Sequence, residues 1–364
     1  MSEALVLLPR PLDETIAAWT RVQRAMVRTR PDAFTRDEWA YVIAYLDAER
    51  LRAPFAAFQA GRIARPRGRV AVWLPNNVSL LGPLTLILLT LSGNRIRVKA
   101  GSRAEDLASA FVRFVRECGE EALLENVVVE QFDRADPRNA EMAAEADVRI
   151  AFGSDEGVRA VEALPHRAGS SGFYFADRTS EAWIRPEANE ETLRTVAKVF
   201  AIYGTAGCTS PRRLVVLGGD DADALRVRDA LAALWPLAVR QDVPMHTASQ
   251  NVASAQIANA IEWQAVLTAR NAAVLAAGSA SHSVPGGSLT LIIVPASVDE
   301  AIATLPPNIQ TLGVDAPLDD GVLARVSAAG AKRIVPIAAM HDFGVLWDGY
   351  DWWRQTFTEI EVRR

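Results

Sequence analysis

Lysine is almost missing from this chain: it stands only at positions 99, 198 and 332, although lysine and arginine together number 39. Each lysine is therefore informative by its place, and Lys99 closes a strand-like run. Cysteine is scarcer still, with Cys118 and Cys208 alone among 364 residues. Two thiols cannot build a disulfide framework. The four histidines, His166, His246, His282 and His341, stand apart without zinc-ligand spacing and are read as surface or satisfied core residues. The chain thus reads as a reduced, cytoplasmic protein with no structural metal. Long hydrophobic runs are absent too. The strongest, 84–91, is about half of what a membrane helix requires, and the apolar start 4–8 is cut by Pro9 and Pro11 and lacks a basic leader. A formal charge of −5 and the lack of any basic block argue against a nucleic-acid partner. No Gly-x-Gly-x-x-Gly follows a strand, so the ordinary dinucleotide fingerprint is missing.

What is present is a large apolar fraction, 50% of residues, enough for about two domains with substantial cores. The first sixty residues carry charged amphipathic stretches near 12–28 and 36–60, the second opened by Thr35-Arg36-Asp37-Glu38, a hydroxyl and early acids suited to a helix start. From Arg69 short apolar strands (70–74, 95–99, 126–130, 148–152) alternate with helical segments (80–92, 104–118, 155–163). This alternation predicts βαβ units and a parallel, doubly wound sheet, with ligands beyond the carboxyl ends of its strands. Leu74-Pro75-Asn76-Asn77 and Phe152-Gly153-Ser154 fall at such ends. A turn-rich passage from His166 to Gly172 marks a domain boundary, and a second α/β unit follows. Its expected strands lie near 181–184, 213–217, 289–294, 311–314 and 333–337, with helical pattern over about 250–270. The division is 1–172 for a first, cofactor-binding domain, 173–340 for a catalytic domain and 341–364 for an aromatic tail that packs on the first domain or at a subunit interface.

Cys208 sits in Gly207-Cys208-Thr209-Ser210-Pro211, between a glycine and a turn, with backbone room for a reactant to approach its sulfur. Read with the other motifs in order, the chain resembles the aldehyde dehydrogenase superfamily, and most closely its acyl-CoA reductase branch, the LuxC-like fatty acyl-CoA reductases. The resemblance runs from about residue 65 to the C-terminus. It rests on Pro75-Asn76-Asn77-Val78, on the strand that ends in Lys99, on Gly153-Ser154 at a helix start, on the Cys208 loop followed by Arg213-Leu214-Val215-Val216, and on Val345-Leu346-Trp347-Asp348-Gly349-Tyr350-Asp351.

The resemblance implies an α/β, aldehyde dehydrogenase-like fold of two doubly wound domains with the active site in the cleft between them. It also implies a Cys208 nucleophile and an oxyanion held by Asn77 and the Cys208 amide. Lys99, Ser102, Gly153 and Ser154 would bind a nicotinamide cofactor. Where NAD-preferring relatives carry a ribose-gripping glutamate this chain has Ser102, with Arg97 and Arg103 nearby, so NADPH is expected over NADH. Tyr174 stands where hydrolytic relatives place a glutamate base, so a thioester on Cys208 would persist long enough to meet a thiol or a hydride donor. The family's Glu-x-Phe-Gly-Pro segment is not found; Gly286-Gly287-Ser288-Leu289 occupies its approximate place. The implied activity is reduction of an acyl-CoA to an aldehyde with release of coenzyme A, in a homo-oligomer, with no membrane span. The alternatives are oxidative aldehyde dehydrogenation, reduction of acyl groups delivered by a partner protein, and a non-catalytic scaffold subunit.

Overall fold

The computed structural model describes residues 5–57, 62–101, 106–239 and 243–363. Contacts divide it into two units, Met1–Ala176 with Phe343–Arg364, and Asp177–Asp342. The first unit opens with β1 (Leu5–Val6) and the helices α1 (Leu12–Met26), α2 (Arg36–Tyr45) and α3 (Ala48–Arg52). The α2 start is a reciprocal cap: Glu38 N–H donates to Thr35 Oγ1 at 3.2 Å and Thr35 N–H to Glu38 Oε2 at 2.9 Å. There follow β2 (Arg62–Pro66), β3 (Arg69–Trp73), α4 (Leu81–Thr90), β4 (Arg95–Ala100), α5 (Leu107–Glu117), β5 (Val127–Gln131), α6 (Arg138–Glu145), β6 (Val148–Phe152), α7 (Asp155–Glu162) and β7 (Ser171–Phe175).

Five of these strands form a wholly parallel sheet in the order β5-β4-β3-β6-β7. Strands covered on both faces need apolar residues at every position, and β3 and β6 read Arg-Val-Ala-Val-Trp and Val-Arg-Ile-Ala-Phe, buried almost throughout. One face packs on α4 and α5; the other, with Ala71, Trp73 and Ala151, packs on Met142, Ala143 and Val158 of α6 and α7. The strand order reverses between β3 and β6, so the crevice at the carboxyl ends of those two neighbours is the topological switch point. Helix α4 is apolar all round because it is buried all round. Among the described residues no helix is long and apolar enough to cross a membrane.

The second unit contains β8 (Thr179–Ile184), α8 (Glu190–Tyr203), β9 (Pro211–Leu217), α9 (Asp221–Ala238), α10 (Met245–Ala260), β10 (Gln264–Leu267), β11 (Val274–Ala277), β12 (Thr290–Ala296), α11 (Val298–Ala303), β13 (Ile309–Val314), α12 (Asp320–Ala328) and β14 (Arg333–Pro336). Its sheet has the order β10-β11-β12-β9-β8-β13-β14 and is parallel except for β10 against β11. The chain then returns to the first unit with β15 (Leu346–Trp347), β16 (Tyr350–Asp351), α13 (Trp352–Thr356) and β17 (Phe357–Glu361), which pairs antiparallel with β2.

Two expectations are corrected here. Residues 166–172 are not a boundary: they lead into β7, a strand of the first sheet, and the units divide at Ala176/Asp177 and Asp342/Phe343. The helical reading of 250–270 overran, because α10 ends at Ala260 and 264–277 forms the β10–β11 hairpin. The aromatic tail packs within the first unit, where Trp352 stacks 5.7 Å from Phe175 and stands edge-on 5.3 Å from Phe173.

Candidate active site

The first unit gathers four of the anticipated positions at one end of its sheet. Asn77 lies, exposed, in the turn after β3; Lys99 is the penultimate residue of β4; Gly153 and Ser154 follow β6. Gly101 lets the loops after β3 and β4 touch, since a Cβ there would stand 2.8 Å from the Pro75 carbonyl oxygen. Lys99 is half-buried and its ammonium lies 5.6 Å from the centre of the Phe132 ring. Burial lowers its pKa from the ordinary lysine value, and nearby Asp133 opposes that. Ser154 caps α7, its Oγ accepting from Gly157 N–H at 3.2 Å, and a Cβ built on Gly153 would meet nothing within 4 Å among the described residues. Ser102 and Arg103 lie outside the described residues. Arg97, expected near Ser102, has its guanidinium bound to Glu130 at 2.7 Å, and Glu130 also takes Arg138 at 3.4 Å.

In the second unit, Cys208 is the first central residue of a β-turn. The Gly207 carbonyl accepts from Ser210 N–H at 3.1 Å and so closes the turn. A trans peptide points its N–H opposite to its C=O, so with the Gly207 carbonyl turned inward the Cys208 N–H faces out of the turn. The next peptide is held as well: Ser180 Oγ, fully buried at the start of β8, donates to the Cys208 carbonyl at 2.6 Å and accepts from Thr311 N–H at 3.2 Å. Thr209 Oγ1 lies 2.7 Å from His341 Nδ1, and His341 Nε2 lies 2.7 Å from the Val199 carbonyl. A carbonyl only accepts, so Nε2 carries the proton, Nδ1 is the acceptor and the Thr209 hydroxyl donates. Burial pushes the His341 pKa below its usual value, which favours this neutral ring.

Upstream, Gly204 adopts a left-handed φ of 53° where any side chain would run into the Ser288 carbonyl. Thr205 N–H donates to that same carbonyl at 2.8 Å, and Arg212 Nη2 donates to the Thr205 carbonyl at 3.2 Å. The segment standing in place of the expected Glu-x-Phe-Gly-Pro thus buttresses the Cys208 loop. Ser180 and Pro211 are register partners at the amino ends of β8 and β9, so Cys208 sits at the amino edge of its sheet, whereas the first unit uses the carboxyl edge.

A family model for acyl-CoA reductase (LuxC) matches residues 44–352. The chain belongs to the acyl-CoA reductase (LuxC) family. Among solved structures it is similar to succinic semialdehyde dehydrogenase from Streptococcus pyogenes in complex with NADP+, with a TM-score of 0.70 and 14% identity over 97% of this chain and 90% of that one. It is also similar to lactaldehyde dehydrogenase from Escherichia coli (TM-score 0.68, 13% identity, 96% and 86% covered). A third is an NAD-dependent benzaldehyde dehydrogenase from Corynebacterium glutamicum (0.66, 13%, 97% and 86%). These likenesses show the aldehyde dehydrogenase-like fold. No curated protein sequence matches the chain.

This LuxC-family oxidoreductase places its arginines near Cys208 differently from one another. Arg213 is spent on buried Glu181, Nε to Oε1 and Nη2 to Oε2 both at 2.8 Å. Arg212 instead reaches across the loop to Thr205. Tyr174 lies back over Gly172, whose missing Cβ leaves room for the ring, 5.9 Å from the Arg149 guanidinium, and burial raises its pKa. Sequence reasoning missed Ser180 and His341. Neither is near Cys208 in the chain, and no pattern of spacing announces a hydroxyl or an imidazole that folds back onto a turn.

Proposed function

We propose that this protein reduces a fatty acyl-CoA thioester to the aldehyde with NADPH, by way of an acyl group carried on Cys208. The observation that supports it most is the clamped turn, which holds the peptides on both sides of Cys208 and turns its N–H outward, in a chain of the acyl-CoA reductase family. In this reading the Cys208 thiolate attacks the thioester carbonyl carbon. The Cys208 N–H and the Asn77 amide receive the oxyanion, the bond to the coenzyme A sulfur breaks, and coenzyme A leaves as the thiol with a proton.

The residues at the first unit's switch point fit a nicotinamide nucleotide. Lys99 offers a cation at a strand end, and the open space over Gly153 admits a phosphate to the backbone beside the α7 start. A reduced nicotinamide, when bound, would supply the hydride; as the thioester carbon accepts it, the bond to the Cys208 sulfur breaks, the aldehyde leaves and the Cys208 thiolate is restored. The chain's own part is to keep water from competing, and the tyrosine at position 174 offers no carboxylate to activate it. NADPH over NADH rests on Ser102, which provides no acid against a 2′-phosphate; the neighbour crystallised with NADP+ is in keeping.

The test is by product. Acyl-CoA with NADPH should give aldehyde and free coenzyme A, and aldehyde with NADP+ should give free acid only in traces. Free acid as the main product would sink the reading, and activity only with an acyl-carrier protein would replace coenzyme A as the donor. Asn77→Ala should lower kcat by about 10²–10³ with little change in KM, since it removes one of two oxyanion donors; stopped-flow acylation kinetics would measure it.

A further inference from the structure

We infer that His341 is a positioning residue for Cys208, acting through the Thr209 hydroxyl to fix the turn that presents the nucleophile. The inference rests on the reading of Cys208 as the acylated residue. It starts from burial: Thr209 is buried, so its hydroxyl needs a partner, and His341 Nδ1 provides one at 2.7 Å. His341 is itself held from two sides. Its Nε2–H is bound to Val199 of α8 at 2.7 Å, and the Tyr203 ring, one turn on, packs edge-on at 5.0 Å.

The backbone that carries His341 is equally fixed. Arg333 donates to the carbonyls of Ala339, Met340 and Asp342 at 3.3, 3.1 and 3.0 Å, bracketing position 341. A continuous set of bonds therefore runs from Arg333 through the 339–342 segment and the imidazole to Thr209. Thr209 is the other central residue of the turn. A rotation there tilts both peptides of Cys208, and with them the outward N–H, which no other bond to the Thr209 side chain resists among those described. Ser180 fixes the Cys208 carbonyl but leaves the Thr209 side free to swing about it. His341 supplies the second point of attachment. The role assigned to it is geometric, carried by the bonds to Thr209 and Val199.

The test compares Thr209→Val, Thr209→Ser, His341→Phe and the double variant Thr209→Val/His341→Phe, all in a Cys118→Ser background. Acylation of Cys208 by a long-chain acyl-CoA is read by quenched-flow mass spectrometry, and alkylation of Cys208 by iodoacetamide is read alongside. Alkylation develops no oxyanion, so it reports the thiol and not the N–H. Thr209→Val and His341→Phe should each slow acylation about 10- to 100-fold at unchanged KM, the cost of a misplacement of about 1 Å. Thr209→Ser should restore most of the rate, the double variant should be no slower than the worse single one, and alkylation should stay within about twofold throughout. Wild-type acylation rates in Thr209→Val, additive losses in the double variant, or alkylation changing in step with acylation would each overturn the inference. Should His341→Phe fold poorly, the valine and serine pair at 209 decides alone. A wild type that takes no acyl group defeats the acyl-enzyme reading first and this one with it; a wild type that acylates beside variants that keep pace defeats this one only.

Discussion

Cys208→Ala, mixed with a long-chain acyl-CoA, should keep its unmodified mass, while the wild type gains one acyl group that disappears as aldehyde when NADPH is added. Turnover should fall roughly 10⁴-fold or more, the scale on which enzymes lose rate when a covalent nucleophile is removed. The control is Cys118→Ser. Cys118 ends α5, partly buried, and its thiol pKa is raised first by burial and then by Glu117 and Glu120. A thiol held protonated there is a poor nucleophile, so Cys118→Ser should acylate like the wild type. An adduct that survives Cys208→Ala, read by intact-protein mass spectrometry, would mean that the acyl group rides elsewhere.

The largest effect on stability is expected at Arg213. Glu181 is 2% exposed on β8, and its carboxylate is held by the Arg213 fork and by Trp183 Nε1 at 3.3 Å. Burial raises the Glu181 pKa above the ordinary carboxylate value and Arg213 opposes the rise. Arg213→Ala leaves a carboxylate in a nearly dry place and should cost about 3–5 kcal/mol, a fall of the second unit's melting temperature by about 10 °C or more. The sign with pH follows from the raised pKa. The folded state binds the Glu181 proton more tightly than the unfolded chain, so stability is fullest below the unfolded pKa and declines as pH rises through the folded one. The defect of Arg213→Ala should therefore be smaller at pH 5 than at pH 8 in thermal unfolding, and a defect that grows on acidification would refute this account. Replacing both partners by apolar residues, Glu181→Leu with Arg213→Met, should recover much of the loss.

The architecture was legible where hydrophobic pattern and period coincide. Strands β3, β4 and β6 read as short apolar runs, and their alternation with helices places Asn77 and Gly153 beyond strand ends, where α/β sheets bind ligands, whereas Lys99 stands out by the scarcity of lysine and the role of each comes from the family resemblance. β7 was hidden by its own beginning: Gly169-Ser170-Ser171-Gly172 carries turn chemistry, although the last residues of that run already pair with β6. The β10–β11 hairpin was masked by alanine, which continues a helical pattern into strands as readily as into helices. What holds Cys208 was out of reach for another reason. Ser180 stands 28 residues before the carbonyl it binds, and Thr209 stands 132 residues from His341. Local pattern has no purchase on pairs that only the closed sheet brings together.

The first unit is discontinuous, and that has a bearing on how the chain is made. Its aromatic core is finished by Phe343, Trp347, Trp352 and Phe357, and its strand β2 by β17, all supplied by the final stretch. Asp177–Asp342, by contrast, is one uninterrupted length carrying its own sheet and core. During synthesis, where domains close as their residues leave the ribosome, the first unit must wait with Phe173 and Phe175 uncovered until residues 343–361 emerge. The inserted unit meanwhile has all it needs. The half that bears Lys99 and Asn77 is therefore the one most exposed to misfolding when translation stalls, and a chain halted before Phe343 would leave the Cys208 unit whole and its companion unsealed.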